Sequence, residues 1–390
     1  MEFIKLFLII ILISLFFRTL LKRRIEEVIP FTSLFMIIII FICGLFNNLS
    51  LGVNIIKIIT FIAMVFNLFH LKKVIKNKNI KEELKLILTP GFFIYTILFI
   101  FFCYLNRNFI LEDYDEFNHW GLIIKNMFYY NGYGTVSNSR VTFNEYPPLT
   151  ANFSYILLKL NNMFLEDRTL IGQNILYLSL IIPITNKINY KKSLKKLILS
   201  LVIILCVPMI FYKAFFYNLL VDGLMGILFG IGLYIIYQND EDKNYKTMSF
   251  VLIITSLVLI KNTGLFLAIL LIIYYLFDLL FINKEKLKSK EIKKLLLLLL
   301  IPLILIISWY IKIYLGKYTV EWKIDNINIE EKVEDKEKVK KLYFQSTYNK
   351  KSFTIRNISF IFTLLALIGY SFCIYELCNK KEQKKYFFIM

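Results

Sequence analysis

The chain has only two histidines, His70 and His119, among its 390 residues. A carboxylate-bridged diiron bundle needs two Glu-x-x-His motifs and two further acids on facing helices. Only Glu116-x-x-His119 has that spacing here, so that class is excluded. The five cysteines, Cys43, Cys103, Cys206, Cys373 and Cys378, are scattered and form no CxxC pair, which argues against a disulfide framework or a thiolate metal site. No glycine-rich phosphate loop or nucleophile elbow is present. No segment repeats at a fixed period, and the apolar runs do not alternate, which excludes a transmembrane barrel.

What is abundant is apolar sequence. Hydrophobic residues make up 58% of the chain and the mean hydropathy is +0.62, against roughly 45–50% apolar content in soluble domains. Runs such as 3–21 and 295–315 are long enough to cross a hydrocarbon core of about 30 Å as helices. The net charge of +19 comes from lysines in short tracts between these runs, so it reports membrane topology and not nucleic-acid binding. The first run ends in Leu21-Lys22-Arg23-Arg24 without a small-residue cleavage site, and reads as a retained helix.

Short basic loops mark the cytoplasmic side. Lys22, Arg23 and Arg24 lie inside by that rule, runs 31–47 and 51–69 return the chain to the lysines at 72–85, and 86–105 carries it out. Residues 106–146 then form a first large outer loop. Run 147–165 is expected to lie at the outer boundary or re-enter it, so that the lysines between 187 and 196 return inside after 169–185. Runs 197–212 and 219–237 follow, and 248–282 is interrupted by Lys261-Asn262-Thr263-Gly264, which reads as a hairpin of two short helices. Run 295–315 leads to a second outer loop, 316–352, and 353–374 brings Lys380 and Lys381 back inside. The expectation is an all-α polytopic membrane protein, one integral-membrane domain over 1–390, with about 11 crossings (range 9–13). It is placed in the cell membrane with its working face outside.

The outer loop carries the chemistry-bearing residues. Glu112, Asp113, Asp115 and Glu116 put four acids within five residues, a costly arrangement beside a membrane that calls for a reason. Spacings of three and four place Phe117, Trp120, Ile124, Met127 and Phe128 on one face of a helix over 113–130, with Asp115, Asn118, His119 and Asn126 on the other. Such a helix would lie in the interface with its polar face raised to an aqueous cavity. Negative charge at a helix start is itself favourable, which accounts for Glu112 and Asp113 but not for the polar face beyond them. A divalent cation held by oxygens of Asp113, Asp115 or Glu116 is left open. Lys125 is either a phosphate-binding cation or a snorkelling side chain, and Trp120 either stacks on a sugar or anchors the interface. Lys261 interrupts an apolar run, where a lysine is expensive.

Asp115-Glu116 early in this loop, His119-Trp120 after it and Tyr146-Pro147-Pro148-Leu149 at its end resemble integral-membrane glycosyltransferases of the GT-C superfamily. The likeness is to the protein mannosyltransferase and aminoarabinose transferase type, family 39-like. Asp222 and the 261–264 turn suit the same pattern. Two features depart from it: Tyr146 stands where the family often has lysine, and three extra helices precede the loop. The resemblance implies inverting transfer of a sugar from a polyprenyl-phosphate donor to a glycan, lipid or protein acceptor outside the cytoplasm. It implies Asp115 as base with Glu116 second, donor-phosphate contacts from Lys125, Arg140 and Lys261, and substrate contacts from His119, Trp120, Tyr146 and Asp222. A lipid-linked glycan polymerase or ligase would share this chemistry. A transporter or flippase would instead put its charges near the membrane midplane.

Overall fold

The computed structural model describes residues 2–135, 139–186, 194–237, 242–278 and 289–319, and all regular structure among them is helical. The expected run 353–374, Cys373, Cys378 and nearly all of the second outer loop lie outside the described residues. Helices α1 (Glu2–Leu21), α2 (Ile25–Leu45) and α3 (Leu49–Lys76) pack against one another. Helix α2 starts at Ile25, earlier than its apolar run, and takes Glu26 and Glu27 into its first turn. The helix dipole favours acids there, and Glu27 closes a capping box with Arg24. Helices α4 (Ile80–Ile87) and α5 (Pro90–Leu105) meet at a bend of 45°. Thr89 caps α5 by accepting from the Phe92 N–H, and Pro90 occupies the first turn, where its missing N–H is harmless.

Four described helices are long and apolar enough to cross a membrane: Phe3–Leu21, Ile25–Leu45, Leu49–Lys76 and Lys294–Gly316. The bent α4–α5 pair makes a fifth if it is one span. Helix α2 lies largely inside the protein, whereas the spans at 3–21, 49–76 and 294–316 turn much apolar surface outward. That distribution suits a membrane-embedded protein, whose outer wall faces hydrocarbon.

The interior of the protein holds a closely packed helix pair. Helix α7 (Leu149–Asn161) is buried from Leu149 through Leu158, and α8 (Glu166–Ile181) is buried along nearly its whole length. Run 147–165, expected at the outer boundary or re-entering it, contains α7, which is packed on all sides by protein. Small and polar residues explain its depth. Asn152, Ser154, Thr169, Gln173, Asn174 and Ser179 are buried, and Ser154 donates to the Thr169 carbonyl at 2.8 Å. Gly172 lets the two backbones meet, since a Cβ there would sit 2.8 Å from Ser154 Cα. Small residues drive such packing where both helix and lipid are apolar.

The later helices are α9 (Leu194–Leu205), α10 (Val207–Phe211), α11 (Asp222–Tyr237), α12 (Lys243–Val258), α13 (Asn262–Phe277) and α14 (Ser289–Thr319). Pro208 stands at the start of α10, where the run 197–212 breaks. Helices α12 and α13 run antiparallel, as the interruption at 261–264 suggests: Phe250 stacks on Tyr275 at 4.5 Å, and Lys246 pairs with Asp278 at 4.0 Å.

Gly172→Val would wedge α7 from α8. Overpacking of this kind costs about 1–3 kcal/mol, so the variant should unfold at lower temperature in detergent. An unchanged thermal midpoint would contradict the close packing.

Candidate functional site

The 106–116 stretch is tied down before it reaches the acids. Asn106 and Asn174 both donate to the Phe216 carbonyl, at 2.7 and 2.9 Å, and Asn174 donates to Asn106 Oδ1 at 2.9 Å. Gln173 donates to the Asn218 carbonyl at 3.1 Å. The first turn of α8 contributes two more acceptors: Asp167 takes the Asn108 N–H at 2.9 Å, and Glu166 takes the Leu111 N–H at 3.0 Å. Buried amides and carboxylates thus lash the loop and the 216–220 segment to the same helix.

Glu116 closes the arrangement. Its side chain is buried; Oε2 accepts from the N–H groups of Glu112 and Asp113 at 2.9 and 3.1 Å, and Oε1 from that of Leu219 at 2.9 Å. Burial raises the Glu116 pKa, and it prevails over the N–H donors, which favour the charged form. Burial and the neighbouring Asp113 also raise that of Glu112. Asp115, by contrast, is exposed. The adjacent acids differ in setting: Glu116 holds backbone in place, and Asp115 is open to its surroundings.

The local helix explains the split. Residues Glu116–Trp120 form a π-turn that leads into α6 (Gly121–Tyr130). An inserted residue of this kind rotates the faces by about 100° relative to a continuous α-helix. The expected polar face over 113–130 is corrected accordingly: His119 is buried, whereas Phe117, assigned to the apolar face, is 55% exposed. Trp120, Ile124 and Met127 are buried as expected.

His119 sits in an aromatic box, with ring centroids 4.4 Å from Trp120, 5.4 Å from Tyr146 and 5.6 Å from Phe143. Tyr146 stacks on Phe143 at 4.9 Å and on Trp120 at 6.0 Å. Trp120 is therefore packed within the box and does not serve as a lipid-facing anchor. Burial, aided by the charge of Lys261, lowers the His119 pKa to about 4, so the imidazole is neutral at pH 7. Its Nδ1 is buried without a hydrogen-bond partner.

Lys261 completes the group. Its ammonium lies 5.6 Å from the Tyr146 ring centroid and 2.8 Å from Asp222 Oδ1. The break that presents it is built by backbone: Lys261 is the extended residue before α13, and the Leu149 N–H donates to the Leu259 carbonyl at 2.9 Å. Gly264 is required at this turn, because a Cβ would lie 2.1 Å from the Leu257 carbonyl oxygen. Trp309 of α14 fixes the far side by donating to the Glu145 carbonyl at 2.8 Å.

His119, Trp120, Tyr146, Asp222 and Lys261 are thus brought together, with the acids on the adjoining loop. Lys125 is not part of the group; it is exposed, 6.0 Å from the Phe164 ring. Arg140 is exposed on a segment held by the Thr142 N–H, which donates to the Asn118 carbonyl at 3.0 Å. Sequence reasoning missed Phe143, Leu219 and Tyr212, whose phenol lies in the field of Asp113, Glu116 and Asp115. It also missed the anchoring amides Asn106, Gln173 and Asn174. Their signal was weak: a polar residue inside an apolar run, without its partner adjacent in sequence.

The residues do not fit the divalent cation considered for Asp113, Asp115 and Glu116. The Glu116 oxygens face three N–H donors, whose positive ends oppose a cation. Among the described residues no three His, Cys, Asp or Glu side chains converge. No known protein family, characterised protein or solved structure matches this chain.

Glu116→Ala should strand the buried Leu219 N–H, at about 1–3 kcal/mol for a donor left unsatisfied, release the part-buried N–H groups of Glu112 and Asp113, and lower the thermal midpoint. Retention of wild-type stability would show that the carboxylate is dispensable to the fold. His119 gives a separate pH test. Its folded pKa, about 4, lies below the unfolded value, so its stabilising contribution is present above pH ~6.5 and lost as the pH falls towards 4. The loss is on the order of 3 kcal/mol. His119→Phe should flatten that part of the stability curve; equal acid sensitivity in both proteins would contradict it.

Proposed function

We propose that the protein is a membrane-embedded glycosyltransferase that moves a sugar from a polyprenyl-phosphate donor to an acceptor hydroxyl outside the cytoplasm, with inversion at the anomeric carbon. The observation that carries this reading is the Asp222–Lys261 pair, 2.8 Å apart, beside Tyr146 and His119 and next to a loop that exposes Asp115. An acid open to a reactant and a cation at the edge of an apolar interior are what this transfer needs. The resemblance of the loop to GT-C glycosyltransferases supports the same assignment, and the lysine pattern supports about 11 crossings with the loop outside.

In this mechanism Asp115 takes the proton of the acceptor hydroxyl as its oxygen attacks the anomeric carbon. The new glycosidic bond forms while the bond from that carbon to the donor's phosphate oxygen breaks, and the lipid phosphate departs with the electron pair. Lys261 meets the charge developing on that phosphate. Asp222 neutralises Lys261 before the donor arrives, so the ammonium exchanges one anion for another and is not left bare in apolar surroundings. Arg140 remains available from the flanking segment for the rest of the phosphate. Lys125 is left out of this role, since it packs against Phe164. Glu116 positions the loop through the backbone.

The location of the charges favours an enzyme over a transporter. Asp222 opens α11 and Lys261 precedes α13, and the lysine pattern supports both lying near the outer face, whereas a transport path would place its charges near the membrane midplane.

Transfer from a polyprenyl-linked sugar should be followed in membranes containing wild type or Asp115→Asn. Loss of a general base slows reactions by about 10²–10⁴-fold, and Asp115→Asn should fall in that range without loss of folded protein. Lys261→Gln should also be slowed. Wild-type rates in Asp115→Asn would remove the base assignment.

A further inference from the structure

The turn between α3 and α4 concentrates unmatched positive charge. Lys72, Lys73, Lys76, Lys78, Lys81 and Lys85 are all exposed, and none forms an ion pair among the described residues. Only two acids accompany them. Glu83 is already engaged, pairing with Arg18 of α1 and lying 2.6 Å from His70 Nε2 of α3, and Glu82 is exposed. The region stands at the opposite end of α5 from the acidic loop, 16 residues or about 24 Å along that helix, so it is distinct from the site described above.

The same stretch exposes apolar side chains. No residue of α4 is buried. At about 100° per residue, Ile80, Leu84 and Ile87 form one stripe along it, bordered by Lys81 and Lys85 on one side and by Glu83 on the other. The contacts of Glu83 with α1 and α3 fix the roll of the helix, and they leave Ile80 41% and Leu84 44% exposed beside the lysines. The 45° bend turns α4 off the axis of α5. A helix with an apolar stripe flanked by lysines is suited to lie in a membrane interface.

Helix α3 brings its end to the same level. Its 28 residues extend about 42 Å, about 12 Å more than a hydrocarbon core of about 30 Å. The excess corresponds to its last two turns, where Lys72, Lys73 and Lys76 stand beside exposed Phe69 and Ile75. Lysines at such a helix end reach the headgroups while their stems cover apolar surface. A nucleic acid or a free polyanion would match the lysines but not the stripe. A layer of acidic headgroups matches both, because its anions have hydrocarbon directly beneath them.

We propose that α4 and the end of α3 dock on an anionic membrane surface, with Ile80 and Leu84 in the hydrocarbon edge and the lysines on the phosphates of acidic lipids. The inference depends on the membrane setting of the helices and not on the glycosyltransferase reading. The test uses the full chain in nanodiscs of phosphatidylcholine alone or mixed with phosphatidylglycerol, with amide hydrogen exchange over 78–88 followed by mass spectrometry. Phosphatidylglycerol should slow that exchange about five-fold or more, since each lysine near an anionic leaflet strengthens the contact by about that factor. The triple variant Lys78→Gln, Lys81→Gln, Lys85→Gln should lose most of the slowing. Salt at about 1 M, which shortens the screening length to about 3 Å, should do the same to the wild type. The three lysines are exposed, so the variant should keep the wild-type thermal midpoint in detergent; if it does not, the salt series decides. Equal exchange in the two kinds of disc, or slowing that survives both the variant and high salt, would overturn the proposal. Inorganic phosphate that slowed exchange in phosphatidylcholine discs as much as phosphatidylglycerol does would overturn the lipid as the source of the anion.

Discussion

The acceptance of three backbone N–H groups by one buried carboxylate, Glu116, is the constraint on which the site depends. Two of those groups belong to the acidic loop and the third to Leu219, more than a hundred residues later. The bond therefore sets the loop against the segment that opens α11, and α11 begins with Asp222. Asp222 in turn holds Lys261, and Lys261 lies against Tyr146 at the end of the same loop. A closed circuit results, in which each member is placed by a contact from a distant part of the chain.

Membrane surroundings explain why backbone groups do so much of this work. Irregular backbone at or near a hydrocarbon region must find partners within the protein, because water is not there to supply them. The 216–220 segment meets that requirement through the amides of Asn106, Gln173 and Asn174, and the break before α13 through the Leu149 N–H. The same need accounts for the polar residues inside α7 and α8. They occupy the interior, where each has something to bond, while α1, α3 and α14 present apolar side chains outward.

The π-turn at Glu116–Trp120 separates two adjacent acids into unlike environments. Asp115 stays exposed, Glu116 is buried, and His119 turns inward to the aromatic box. A continuous α-helix would have raised His119 beside Asp115. The inserted residue instead makes a buried imidazole neighbour to a lysine, and burial and that charge both favour the uncharged ring.

Sequence alone determined the helical class, because apolar runs of this length leave the backbone one way to satisfy itself in hydrocarbon. It also determined the break at 261–264, since a lysine and a glycine within an apolar run end a helix by their own chemistry, and it singled out Asp115, His119, Tyr146, Asp222 and Lys261 as unusual where they stand. Only the tertiary structure decided that Glu116 is a fastening and that Lys125 belongs elsewhere, and only it placed α7 inside. Those outcomes rest on partners far away in the chain, such as Leu219 for Glu116, Phe164 for Lys125 and α8 for α7. Local periodicity carries no information about a residue that arrives from another helix, nor about one extra residue in a turn, and these were the two features that shaped the site.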